Sequence, residues 1–358
     1  MSMRGTGVSF VIPVCNGQPW LEPVLASILA QVDDRPFEIL AVEDGSRDES
    51  PQILARHAST GVLRVIEGPR RGAAAALNTA IRAANYPVIC QVDQDVILQP
   101  GWMAALLEGL ADPRVAAAQG YYATPRDGSI WARVMGLDLE MRYRGLLGRR
   151  VDHVCTGNTA YRAAALREVG LFDETLGYGY DNDISYRLVA AGYDLVIRQD
   201  ARSIHRWRDT WRTYLAQQYG FGYGRLDIVA KHRRRASGDD VSQWTMMLHA
   251  PLMAVALAAV LSSAFLLAVG GRWDVTAAVA AAIIAALGVE RLVAGIRAAV
   301  AFRDATPLLF PVVHCARDTA WAWAIVVWGA RRLRGFASHP SHSMRPRHAL
   351  GRVAGRRP

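Results

Sequence analysis

Two groups of residues have the types and spacing to do chemistry. Asp93-Gln94-Asp95 sets two carboxylates one residue apart just after a strand-like run, where both can face the same side. Such a pair can share a hard divalent cation, Mg2+ or Mn2+, which takes oxygen ligands and bridges phosphates. Asp44 lies in Glu43-Asp44-Gly45-Ser46-Arg47-Asp48, a turn composition in which Asp48 or Ser50 suits a helix cap. Asp44 itself is a candidate acceptor for a nucleobase edge. A third feature is physical: Ala250 to Gly270 carries no charge and is long enough to span hydrocarbon.

The elements that must position these residues follow from hydropathy. Apolar runs at Val8–Val14, Phe37–Val42, Leu63–Ile66 and Val88–Val92 predict strands. Helical spacing predicts helices over Trp20–Gln31, Ser50–His57 and Ala73–Ala84. Strand–helix alternation implies an α/β fold with a parallel sheet covered by helices. Ligands in such sheets bind beyond the carboxyl ends of the strands, where Cys15-Asn16-Gly17, Asp44 and Asp93–Asp95 all fall.

This divides the chain into a cytoplasmic domain over 1–240, a helical membrane region over 241–335 and a basic, disordered tail over 336–358. Spans are expected at about 248–270 and 273–296, around the polar break Gly270-Gly271-Arg272-Trp273-Asp274. The basic block Lys231–Arg235 sets their cytoplasmic side, giving a multi-pass protein of the cell membrane. A further apolar segment, 307–330, contains His314, Arg317 and Asp318, with Trp321, Trp323 and Trp328 as an interfacial belt. An interfacial or re-entrant helix is expected there rather than a third span.

The net charge is +9, and from Arg331 onward there are eight arginines and no acidic residue. Following apolar segments, that tail suits anionic membrane lipids better than nucleic acid, and no nucleic-acid partner is expected. The four cysteines form no CxxC pair and read as buried small side chains in a reducing compartment. No signal peptide is evident, because Val8–Val14 is too short and lacks a cleavage site. The first turn, Cys15-Asn16-Gly17-Gln18-Pro19, contains no GxGxxG, which argues against a dinucleotide-dependent enzyme.

In order and spacing, Val11–Gly17, Glu43–Asp48 and Asp93-Gln94-Asp95 resemble the family 2 glycosyltransferases, which have the GT-A, Rossmann-type fold. Arg71-Gly72 through Ala76-Leu77-Asn78 is similar to the family's donor-side helix. Cys155–Arg162 with Val169–Glu174 is similar to its acceptor-side segment. Gly179-Tyr180-Asp181-Asn182-Asp183 resembles its Glu-Asp-x-Asp helix start, with Tyr180 replacing the usual Glu. The Gln-x-x-Arg-Trp signature of processive polysaccharide synthases is missing, so a non-processive, membrane-attached enzyme is expected.

The resemblance implies an inverting, metal-assisted transfer of a sugar from a UDP-, GDP- or dTDP-sugar. The acceptor would be a hydroxyl or phosphate of a lipid-linked or glycan molecule at the cytoplasmic membrane face. By this match Asp181 is the general base, with Asp183 as the alternative. Donor contacts would come from Pro13, Val14, Asn16, Asp44, Arg71, Gly72, Asn78, Asp93 and Gln94. Thr156, Gly157, Asn158 and Tyr180 would line the acceptor side, and Asp93, Asp95 and His205 would hold the metal. The rival is a non-catalytic membrane scaffold with a degenerate transferase domain, for which Tyr180 is the main argument.

Overall fold

The computed structural model describes residues 5–335; the expected disordered tail over 336–358 lies outside the described residues. The first half alternates strands and helices: β1 (Val8–Val14), α1 (Gln18–Leu29), β2 (Phe37–Glu43), α2 (Ser50–Ser59), β3 (Arg64–Glu67), α3 (Ala73–Ala83), β4 (Val88–Val92). Then come β5 (Val96–Leu98), α4 (Trp102–Gly109), β6 (Val115–Ala123), α5 (Ile130–Arg144), β7 (Arg150–Val151) and β8 (Asn158–Arg162). The rest is largely helical: α6 (Ala163–Glu168), α7 (Tyr180–Ala190), β9 (Asp194–His205), α8 (Trp211–Lys231), α9 (Trp244–Ala268), α10 (Asp274–Phe302) and α11 (Phe310–Leu333).

The strands form one sheet in the order β3-β2-β1-β4-β8-β6-β9-β5, with β7 pairing β9. From β3 to β4 it is parallel; β8 then runs antiparallel to both β4 and β6. The fold is thus mixed: parallel among the first four strands and again between β6 and β9, with antiparallel pairing at β8. Beyond them, no run of sequence announces that β8 returns beside β4. β1 is buried along almost its whole length because it is central and covered on both faces, hence its continuous apolar run. The Ala-rich face of α3 buries Ala74, Ala76, Leu77 and Ala80 in the same core.

α9 and α10 are long and apolar enough to cross a membrane. At 25 and 29 residues they extend about 38 and 44 Å, more than the ~30 Å of hydrocarbon. The segment expected to be an interfacial or re-entrant helix is one continuous helix, α11, packed along α8, α9 and α10. Its polar residues explain this. His314, Arg317 and Asp318 are buried within the protein, Arg317 Nε meeting Asp318 Oδ1 at 2.8 Å. Nor do its tryptophans form a simple belt. Trp321 donates to Gln218 Oε1 at 3.2 Å and Trp328 to Asp227 Oδ1 at 2.9 Å, while Trp323 stays exposed.

The basic block ahead of α9 is also partly engaged. Lys231 reaches Asp173 at 2.6 Å and Asp183 at 2.7 Å, and Arg235 pairs with Asp152. Of the cysteines only Cys90 is fully buried; Cys15 and Cys155 are part-exposed, and Cys315 lies exposed on α11. All are free thiols.

Candidate active site

Loops at the carboxyl ends of β1, β2 and β4 are tied into one frame by side-chain bonds. Gln94 Oε1 accepts from Cys15 N at 2.8 Å and its Nε2 donates to Cys15 O at 3.1 Å. A Cβ on Gly17 would stand 2.6 Å from that Gln94 oxygen, so any side chain there would displace the Gln94 amide from Cys15. Asn16 accepts from Arg47 N at 2.8 Å, and its own N–H donates to Ser46 Oγ at 3.0 Å. Asp48 accepts from Gln18 N and Ser50 N, both at 3.0 Å, capping the starts of α1 and α2 together. Asp44 accepts from Arg70 N at 2.5 Å and Gly72 N at 3.0 Å, which orders the loop before α3.

At the end of β4, Asp93, Asp95 and His205 bring one ligand atom each to within 4.8 Å of one another. His205 arrives from the far end of β9, which pairs with β5 so that Val96 faces His205. Enclosure in the cavity, and then the adjacent charge of Asp95, pushes the Asp93 carboxyl up to about 7. Two crowded carboxylates want a cation between them. Burial lowers the pKa of His205, against the opposing pull of Asp95, so its ring is neutral and able to ligate. It stacks on Trp207 with centroids 3.7 Å apart, which fixes its plane. The donor set of two carboxylates and one imidazole fits Mg2+ or Mn2+.

Asp181 lies at the first turn of α7, after Gly179 in the left-handed region. Its Oδ1 accepts from Asn182 N at 2.9 Å and its Oδ2 lies 3.7 Å from His153 Nε2. Asp93, His205, Asp181, Thr156 and Tyr180 share one cavity of about 470 Å3. Gly157, at φ 88°, makes this closeness possible; a Cβ there would stand 2.3 Å from Asp93 Oδ2.

Several expected site residues are engaged within the fold. Asp183 is 0% exposed and fully engaged by Arg187 at 2.8 Å, Lys231 at 2.7 Å and His232 at 2.7 Å, so it faces the fold and not a substrate. Asn78 is buried, donating to Phe172 O at 2.9 Å and accepting from Phe172 N at 3.0 Å, which staples α3 to the segment before α7. Asn158 is buried within β8, where Oδ1 accepts from Trp102 Nε1 at 2.5 Å, behind the cavity wall. The Val14 side chain is wholly buried in the core. Arg71 pairs with Glu174 at 2.8 Å. Pro13 stays within β1, paired with Val42.

The site also contains a residue that no motif marks. His153 is buried beside Asp181, and among the described residues neither ring nitrogen has a hydrogen-bond partner. Burial opposes its protonation, but Asp181 and Asp239 outweigh it and raise its pKa. With Cys155 it completes a second close cluster on Asp181, although burial pushes the Cys155 thiol well up and keeps it protonated. The only signal in the sequence was a His two residues before Cys155.

A family model described as glycosyl transferase family 2 matches residues 9–170. The succinoglycan biosynthesis protein ExoU of Rhizobium meliloti (strain 1021) is 30% identical over 260 residues, spanning 64% of this chain and 75% of that protein. The chain belongs to glycosyltransferase family 2. A pre-mycofactocin glycosyltransferase of Mycobacterium tuberculosis (strain CDC 1551 / Oshkosh) is 29% identical over 262 residues, 67% of this chain. The match spans 52% of that relative, about half its length. In structure, the family 2 chain resembles a mannosyltransferase from Pyrobaculum calidifontis solved with GDP-Man and Mn2+. The TM-score is 0.58 at 21% identity, over 90% of this chain and 86% of that one, a likeness of fold. The α/β half is a GT-A domain, and the C-terminal helices are appended to it.

Proposed function

We propose that this family 2 glycosyltransferase moves a sugar from a nucleotide-diphosphate donor to an acceptor hydroxyl with inversion, Asp181 acting as general base. The observation that carries this reading is the shared cavity: Asp181 opens onto the same space as Asp93 and His205. Asp93, Asp95 and His205 would hold Mg2+ or Mn2+, which offsets charge on a departing diphosphate. The loops ordered by Asp44 and Gln94 would seat the nucleotide, with UDP-, GDP- and dTDP-sugars as the donor set.

Asp181 takes the proton as the acceptor oxygen bonds to the anomeric carbon. The bond from that carbon to the diphosphate breaks on the opposite face, and the nucleoside diphosphate leaves. His153 lies beside this carboxylate, its Nε2 3.7 Å from Asp181 Oδ2. α9 and α10 would anchor the site at the cytoplasmic face of the cell membrane, with Arg233 and Arg234 near the headgroups, where lipid-linked or glycan acceptors are available.

The test is donor turnover with Mn2+ across UDP-, GDP- and dTDP-sugars. Asp181→Asn is expected to lower transfer by about 100- to 10,000-fold with donor binding retained, the usual worth of a general base. Unchanged turnover in that variant would remove Asp181 from the mechanism. Wild-type binding without any turnover would favour the scaffold.

A further inference from the structure

The cavity beside Asp181 extends beyond the GT-A domain. Its wall continues from Asp93 and Asp181 to Gln217 of α8 and to His314 and Trp321 of α11. Its volume, about 470 Å3, lies inside the roughly 300–1,000 Å3 of sites for small organic ligands.

Six buried polar atoms of residues on this wall have no hydrogen-bond partner among the described residues: besides those of His153 and His205 at the catalytic end, they are Trp207 Nε1, Gln217 Oε1 and His314 Nδ1. His314 is 1% exposed and Trp207 8% exposed. Buried polar groups in native proteins are nearly always paired, so this gathering around one cavity marks a place that a ligand completes, and the last three lie outside the catalytic cluster. The set is chemically mixed. Trp207 Nε1 only donates, Gln217 Oε1 only accepts, and His314 Nδ1 does either by tautomer.

An ionised phosphate supplies acceptors alone and would leave Gln217 unmet. A hydroxyl both donates and accepts, and satisfies all three. Charge points the same way. Arg142 is paired with Asp138, Arg225 with Asp239 and Arg317 with Asp318, so these three arginines of the wall are already neutralised by the protein. Met246, at the start of α9, and Trp321 carry the wall to helices whose outer residues, such as Leu261 and Phe265, are exposed and apolar.

We infer that this cavity is the acceptor subsite and that it receives a saccharide carried on an apolar group, with Trp207, Gln217 and His314 binding its hydroxyls. The inference rests on the transferase reading above and assigns α11 a part in substrate binding. One sugar hydroxyl stands at Asp181, which takes its proton, and the neighbouring hydroxyls meet the other three side chains.

The test uses the full chain in a detergent without a sugar headgroup, with Mn2+ and a nucleotide sugar that it hydrolyses. Octyl glucoside, octyl galactoside, octyl mannoside and farnesyl phosphate are offered as acceptors. Transfer to at least one octyl glycoside is expected. Gln217→Leu and His314→Phe should each raise the KM for that glycoside about tenfold or more with kcat largely kept, the effect of a lost hydrogen bond in binding. Donor-nucleotide binding shows that each variant is folded, and two variants guard against one failing to fold. Transfer to farnesyl phosphate alone, donor hydrolysis with no glycoside used, or an unchanged KM in both variants would overturn the inference. Absence of turnover with every nucleotide sugar would instead sink the transferase reading on which it stands.

Discussion

At the scale of single residues, Asp93 and Asp95 together face the candidate cation site beside His205. Asp93 is crowded by Asp95 and enclosed, so its carboxyl titrates near 7 where no cation is bound. A cation needs the carboxylate, and below that pH a proton must leave first. Affinity for Mn2+ is therefore expected to rise about tenfold from about pH 6 to about pH 8, with proton release on binding. Calorimetry in buffers of different ionisation heat measures both, and a flat affinity over that window would count against Asp93 as ligand. Gly157→Ala should weaken the same cation, because its Cβ would press on Asp93 Oδ2 at 2.3 Å and its φ of 88° strains any side chain. Metal titration of that variant reads the effect.

At the scale of elements, α7 shows how two acidic residues of one helix turn separate. Asp181 faces the cavity, whereas Asp183 faces Arg187, Lys231 and His232. Asp183→Ala leaves those cations without their shared carboxylate. It should cost about 3 kcal/mol of stability, the low end for a buried pair because Lys231 keeps contact with water. Transfer measured well below the melting temperature should stay near wild type, opposite to Asp181→Asn. Denaturant unfolding alongside kinetics checks the pair. A loss of turnover in Asp183→Ala at unchanged stability would reverse the assignment.

At the scale of the whole molecule, buried packing crosses the boundary expected near residue 240. Val134 of α5 and Tyr214 of α8 share one buried cluster with Ala298 of α10 and with Phe310 and Val313 of α11. Arg133 of α5 reaches Asp304, after α10, at 2.5 Å. A chain ending at residue 240 would expose that face, at about 1.5–3 kcal/mol for each large side chain. Its melting temperature should fall by roughly 10 °C. A truncated chain that melts within a few degrees of the full chain would show the two parts to be separable.

The sequence alone determined the strand–helix alternation of the first half, the grouping of Asp44 and Asp93–Asp95 at strand ends, and two membrane-length helices. Each depends on local pattern: β-branched runs, 3.6-residue spacing or unbroken apolar length. The family could be read there too, because its motifs are short and ordered. The tertiary structure decided what depends on long-range pairing. β8 returns antiparallel beside β4 and β9 brings His205 to Asp95, contacts that join residues more than sixty positions apart. The same packing hid Asn78 and Asn158, gave Asp183 its cations and set His153 beside Asp181. It also turned the polar residues of α11 inward. A hydropathy pattern records how apolar a segment is; which neighbour its polar face meets is fixed only when the helices pack.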